Sequence, residues 1–244
     1  MGNGGWPDCG DERGRSRRNG GRIFSHTNRL RLEFALLYLG LPAALLAARQ
    51  MGVSVPVVPV LWCAAYPAAR CLVTRYGWGL RELLGVRADR RQVCALGLRV
   101  ALAAVVLAGG ILLVAPAQFL ELPRRDPRLW ALVMLFYPAL SVYPQGLLYR
   151  GLFYARYACL FRNERQSWLA GACVFGLAHL VFANYWAVVL TAAGGLFINR
   201  TYRKTGSLVL SDIEHAAYGQ LVFTCGWGRF LYHGTMRFLE GLAR

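Results

Sequence analysis

The chain has 244 residues, 56% of them hydrophobic and 16% charged, against about 25% charged residues in an average soluble domain. Its 28 basic residues outnumber 12 acidic ones, giving a net charge of +16, and its mean hydropathy is +0.36. This balance excludes an ordinary soluble globule and a disordered chain, and the length excludes a small disulfide scaffold.

A basic chain of this kind is either a nucleic-acid binder or a membrane protein with basic loops. A nucleic-acid domain interleaves its arginines with a soluble amphipathic fold. Here they gather between long apolar runs, so no nucleic-acid partner is expected and the lipid bilayer is. All but one of the basic residues are arginine, the exception being Lys204. The fold class expected is all-α, a polytopic transmembrane helical bundle of about seven to eight spans.

Residues 1–32 are rich in Gly, Arg and Asn without a period, which predicts a disordered basic tail. The tail lacks the compact apolar stretch and small-residue cleavage site of a signal peptide. Apolar segments then follow at approximately 34–50, 53–69, 94–116, 129–149, 167–183, 185–199 and 208–232, judged against the roughly 20 residues that span a bilayer. The pair flanking Asn184 reads as a tight helical hairpin. Residues 33–128 form an N-terminal group of membrane helices, and 129–244 a core that carries the polar motifs.

Arginines crowd the tail, the segment after the second span (Arg70 to Arg91), the segment after the fourth (Arg150 to Arg165) and the one after the sixth (Arg200, Arg203, Lys204). Alternate loops are poorer, except at 121–128, where Arg124, Arg125 and Arg128 are partly offset by Glu121 and Asp126, so the positive-inside rule sets a multi-pass cell-membrane protein with a cytoplasmic N-terminus. Arg99, inside the third span, is expected to snorkel to the cytoplasmic end. Of seven cysteines, none forms a C-x-x-C pair, and those in apolar segments read as small buried thiols.

Polar groups inside a membrane span are costly and point to function. Here they are Gln145 and Arg150 ending the fourth span, His179 in the fifth, and Asp212, Glu214 and His215 in the last. Pro144 loosens the helix beside Gln145, and a plain reading makes Tyr149 and Arg150 an interfacial anchor. Phe175 and His179 share a helix face one turn apart, as do His215 and Gly219. Two histidines and a glutamine on three spans are most economically satisfied around one polar centre.

Gln145-Gly-Leu-Leu-Tyr-Arg150, Phe175-x-x-x-His179 and His215-x-x-x-Gly219, in this order, resemble the motifs of the CAAX prenyl protease 2 and lysostaphin-resistance-protein-A-like family of intramembrane peptidases (the CPBP, or Abi, family). The run Arg203-Lys-Thr-Gly-Ser-Leu208 before the third motif fits as well, and the resemblance covers roughly residues 130–232. It implies an intramembrane endopeptidase acting on a membrane-associated protein or peptide. His179 and His215 would be catalytic together with Gln145, while Arg150, Phe175, Gly219 and Glu214 support them.

The family's E-E-x-x-x-R motif falls on Gln145 and Gly146, so both of its glutamates are absent. Gln145 can orient a water but cannot take its proton. Gly219 offers no side-chain donor where many members have Asn, although Tyr218 and Gln220 are its neighbours. Zinc, with only His179 and His215 to hold it, lacks the usual three protein ligands. The alternative function is an inactive family member, a pseudoenzyme that binds a membrane peptide as an immunity or scaffold protein.

Overall fold

The computed structural model describes residues 20–230, and every regular element among them is helical. Helix α1 (Gly20–Ala35) passes through a π-helical stretch, Leu36–Gly40, into α2 (Leu41–Gln50). Then come α3 (Val57–Tyr76), the short α4 (Leu80–Leu84) and α5 (Arg90–Val114). The short α6 (Glu121–Arg125) leads into α7 (Pro127–Tyr137), a π stretch Pro138–Val142, α8 (Tyr143–Gly146) and a second π stretch, Leu147–Tyr157. The C-terminal part comprises α9 (Glu164–Leu177), α10 (Tyr185–Thr205) and α11 (Leu208–Cys225).

Among the described residues, four helical rods are long and apolar enough to cross a membrane: His26–Gln50, Val57–Tyr76, Arg90–Val114 and Pro127–Leu160. The protein is therefore a multi-pass, all-helical membrane protein, with four candidate spans in place of the seven or eight expected. The shortfall has a physical reason. Helix α9 has only 14 residues, α10 ends on Arg200, Arg203 and Lys204, and α11 carries Asp212, Glu214 and His215. These three pack on the bundle as much as they face lipid.

The tail expectation is corrected in part. Residues 1–19 lie outside the described residues, but the chain is helical from Gly20. The Glu33 carboxylate accepts from Arg29 Nε at 2.9 Å and from Arg156 Nε at 3.0 Å, which ties α1 to the second π stretch. The cysteine expectation also fails. Among the described residues only Cys225 is buried, whereas Cys63, Cys94, Cys159 and Cys173 are exposed; in a membrane bundle a small apolar thiol is at ease on the outer face. Cys9 and the end of the 208–232 segment lie outside the described residues.

Pro127–Leu160 is the centre of the bundle: 44% of its most apolar stretch is buried, against 6% for Arg90–Val114. Its prolines do not break it. A proline lacks the N–H that would reach the carbonyl four residues back and crowds that carbonyl. Both prolines stand beside widened π turns, a common way to absorb such a clash. Each freed carbonyl also finds a donor on another helix. Trp62 Nε1 donates to Leu140 O at 3.0 Å, opposite Pro144, and Gln220 Nε2 to Met134 O at 2.8 Å, opposite Pro138. Buried backbone acceptors are costly in lipid, so these two bonds lock α3 and α11 to the central rod.

An aromatic core holds the other side of that rod, with Tyr38, Phe153, Tyr157, Leu72, Phe175 and Ile198 among its buried members. Tyr38 donates its hydroxyl to Leu148 O at 2.8 Å. The hairpin expected at Asn184 is present. Helix α9 gives way to a 3-10 turn, Ala178–Phe182, Ala183 takes a left-handed φ of 51°, and Asn184 Oδ1 caps α10 through Trp186 N. The turn before α11 is capped likewise, by Gly206 at φ 63° and by the Ser207 hydroxyl on Leu210 N. Near α4, the Gly79 amide and then Arg87 hold the Glu82 carboxyl below the usual carboxylate range.

Candidate functional site

A cavity of about 110 Å³ opens between α2, α3, the central rod and the turn after α9. Gln145, His179 and Gly219 line it together with Tyr137, Ser141 and Tyr149. His179 sits on the 3-10 turn Ala178–Phe182 and not, as expected, within a continuing α-helix. Its Nδ1 is 2.9 Å from Phe175 O. A carbonyl only accepts, so Nδ1 carries the hydrogen and Nε2 of the neutral ring is left as a base. Gln145 Nε2 donates to Ser141 O and to Ser141 Oγ, both at 2.9 Å. That orientation fixes the amide and leaves Gln145 Oε1 as the acceptor.

His215 stands one layer behind. Phe175 separates the two histidines, its ring centroid 5.1 Å from each, edge-on to both. Arg150 Nη2 lies 3.5 Å from His215 Nδ1 and 2.5 Å from Asp212 Oδ1. Arginine only donates, so His215 Nδ1 accepts and its hydrogen is on Nε2, which faces the Tyr137 hydroxyl oxygen at 3.4 Å. The two histidine contacts are long and weak, but their polarity runs one way, from Arg150, anchored by its bond to Asp212, through His215 to Tyr137. The Tyr137 O–H is then free to donate elsewhere.

The two glycines of the motifs acquire a meaning here. A Cβ at position 146 would overlap the Asp212 carboxylate, with Oδ2 at 2.7 Å. A Cβ at position 219 would overlap the Tyr137 ring and hydroxyl, with Cζ at 2.6 Å. Asp212 therefore fills the space of a side chain at 146, and Tyr137 the space of a side chain at 219. A carboxylate and a hydroxyl arrive from α11 and α7 at the positions where the sequence lacks polar side chains.

Residues 127–220 match the family model described as type II CAAX prenyl endopeptidase Rce1-like. Over that stretch, less than half of the chain, the sequence is similar to that family. No curated protein and no solved structure matches the chain. The matched Rce1-like segment begins at α7 and runs to Gln220 on α11, so Tyr137, Gln145, Arg150, Phe175, His179, Asp212, His215 and Gly219 all fall within it.

Several candidates stand elsewhere than expected. Arg150 is 1% exposed and thus no interfacial anchor, and Tyr149 beside it is buried as well. Glu214 is fully buried and turns away from the cavity, accepting from Arg99 Nε at 2.7 Å and from the Tyr218 hydroxyl at 2.8 Å. Arg99 is accordingly a paired arginine and not a snorkelling one. Tyr218 serves Glu214, and Gln220 serves Met134, so neither supplies the cavity with a donor. Neighbours on a helix point about 100° apart, and this separates Glu214 from His215.

Zinc does not fit these residues. Both ring nitrogens of His215 already face Arg150 and Tyr137, leaving His179 alone, and among the described residues no group of three potential ligands comes together. Asp212 and Tyr137 are the residues of this candidate site that motif spacing missed. Asp212 was visible as an ionisable residue in an apolar span, but Tyr137 carried no signal.

Proposed function

We propose that the protein is an intramembrane endopeptidase that hydrolyses a peptide bond of a membrane-associated protein, with His179, Gln145 and Tyr137 acting on the substrate. One observation carries the reading: a single cavity is lined by all three. His179 Nε2 takes a proton from a water, which Gln145 Oε1 orients by accepting its other hydrogen. The water oxygen bonds to the peptide carbonyl carbon, and the Tyr137 hydroxyl donates to the oxygen on which charge develops. Collapse breaks the C–N bond, and the proton on His179 passes to the leaving amine. His215, Arg150 and Asp212 are positioning residues that aim the Tyr137 hydroxyl, and Phe175 sets the spacing of the two histidines. The cavity's apolar flank, with Leu41, Leu45 and Leu61, suits an apolar side chain or a prenyl group.

The test is cleavage of a membrane-anchored peptide, prenylated and unprenylated, by the full chain in proteoliposomes. The expected result is cleavage by the wild type and a fall of about 10²-fold or more for His179→Ala. Unchanged cleavage in that variant overturns the assignment. The second reading, an inactive member that holds a membrane peptide as an immunity or scaffold protein, is favoured by the absence of both first-motif glutamates at Gln145 and Gly146. Peptide retained without products, by wild type and variant alike, supports it.

A further inference from the structure

We propose that a second, basic cleft between α5 and α10 binds the phosphate headgroup of an anionic phospholipid. Both helices pack on α11. Between the first turns of α5 and the last turns of α10 they leave a cavity of about 270 Å³. It shares no lining residue with the His179 cavity. Arg91, Arg99, Arg200 and Lys204 line it, with Thr201 and Asp89.

The charges are uneven. Arg99 is matched by Glu214 and also donates to Thr201 Oγ1 at 2.8 Å. Arg91, Arg200 and Lys204 have no ion-pair partner among the described residues. Asp89, the one carboxylate in the lining, caps α5 by accepting from Gln92 N at 2.7 Å. Three unmatched cations around a cleft of this volume suit an oxyanion with several acceptor oxygens, and a phosphate is that group. Basic pockets between membrane helices at the headgroup level take such ligands.

The surroundings distinguish a lipid from free phosphate. Ala95, Arg99, Leu102 and Val106 follow one another on α5 at helical spacing, so the cleft continues into an apolar stripe. Leu102 is 57% exposed and Val106 70%. On α10, one turn before Thr201, Phe197 is 47% exposed. A charged head in the cleft therefore has an apolar track for its acyl chains on the hydrophobic rod Arg90–Val114. A free phosphate makes no use of that track.

The experiment is a native mass-spectrometry titration of the full chain, in neutral detergent, with phosphatidylglycerol and with phosphatidylcholine. The wild type is expected to prefer phosphatidylglycerol by about tenfold or more, at roughly fivefold per cation engaged. The triple variant Arg91→Gln/Arg200→Gln/Lys204→Gln loses that preference. The variant Arg70→Gln/Arg75→Gln/Arg81→Gln, with the same charge removed from exposed positions outside the cleft, keeps it. Leu102→Ser weakens phosphatidylglycerol binding, and inorganic phosphate at matched concentration fails to displace the lipid. Equal retention by the wild type and the cleft variant overturns the site. Displacement by inorganic phosphate together with indifference to Leu102→Ser overturns the lipid and leaves a free-phosphate site. Each outcome is independent of whether the His179 cavity cleaves peptides.

Discussion

The Arg150 guanidinium is almost fully enclosed, and its tolerance depends on Asp212, which reaches it across the backbone of Gly146. Removing one partner of a buried pair strands the other charge, so Asp212→Asn is expected to destabilise the protein by about 3–5 kcal/mol. The double variant Arg150→Met/Asp212→Leu loses much less, because no charge is left unpaired. Thermal midpoints of the purified single and double variants check this, and equal losses would show that the pair does not act as a unit. Gly146→Ala is expected to destabilise by about 1–3 kcal/mol through overpacking against the same carboxylate, read by the same assay. Tyr137→Phe keeps the ring that covers Gly219 and removes only the hydroxyl. Its expected effect is a fall in kcat of about 10²-fold with KM unchanged, and a fall in KM-dependent binding alone would assign the hydroxyl to substrate contact.

At the scale of the elements, the central rod survives two prolines because donors from other helices answer the carbonyls they orphan. Trp62→Phe and Gln220→Leu each leave a backbone acceptor unsatisfied, Leu140 O or Met134 O, and each is expected to lower stability by about 1–3 kcal/mol. Denaturation of the variants in mild detergent measures it, and wild-type stability in either would mean that the π turns alone absorb the proline. The order of the polar motifs was legible in the sequence because helices place residues three and four apart on one face. That is why Phe175 with His179 and His215 with Gly219 could be paired without coordinates. The Arg150–Asp212 pair was not legible, since 62 positions separate its members and nothing local couples them. Gly146 and Gly219 read in one dimension as missing side chains, whereas in three dimensions they are the gaps that admit Asp212 and Tyr137. Among the described residues only four of the expected spans stand out, for a related reason: α9, α10 and α11 look apolar in sequence but are short or carry charges that bundle packing satisfies.

For the whole molecule, most of the charge that allowed a nucleic-acid reading falls in segments that the positive-inside rule would place at one end of a helical bundle. If that end is cytoplasmic, as the positive-inside rule requires, single cysteines introduced at Ala88 and at Gly206, in a chain otherwise cleared of exposed thiols, should both react with an impermeant thiol reagent from the cytoplasmic side only. Labelling of the two from opposite sides would refute the topology. The central claim, however, is chemical: a cavity lined by His179, Gln145 and Tyr137 hydrolyses a membrane-associated peptide. The most direct measurement is product formation from a membrane-anchored peptide in proteoliposomes, compared for the wild type, His179→Ala and Tyr137→Phe at matched folded concentrations. The account predicts cleavage by the wild type, about 10²-fold or more loss in His179→Ala, and a comparable loss in Tyr137→Phe that falls on kcat. Cleavage that persists undiminished in both variants would contradict it.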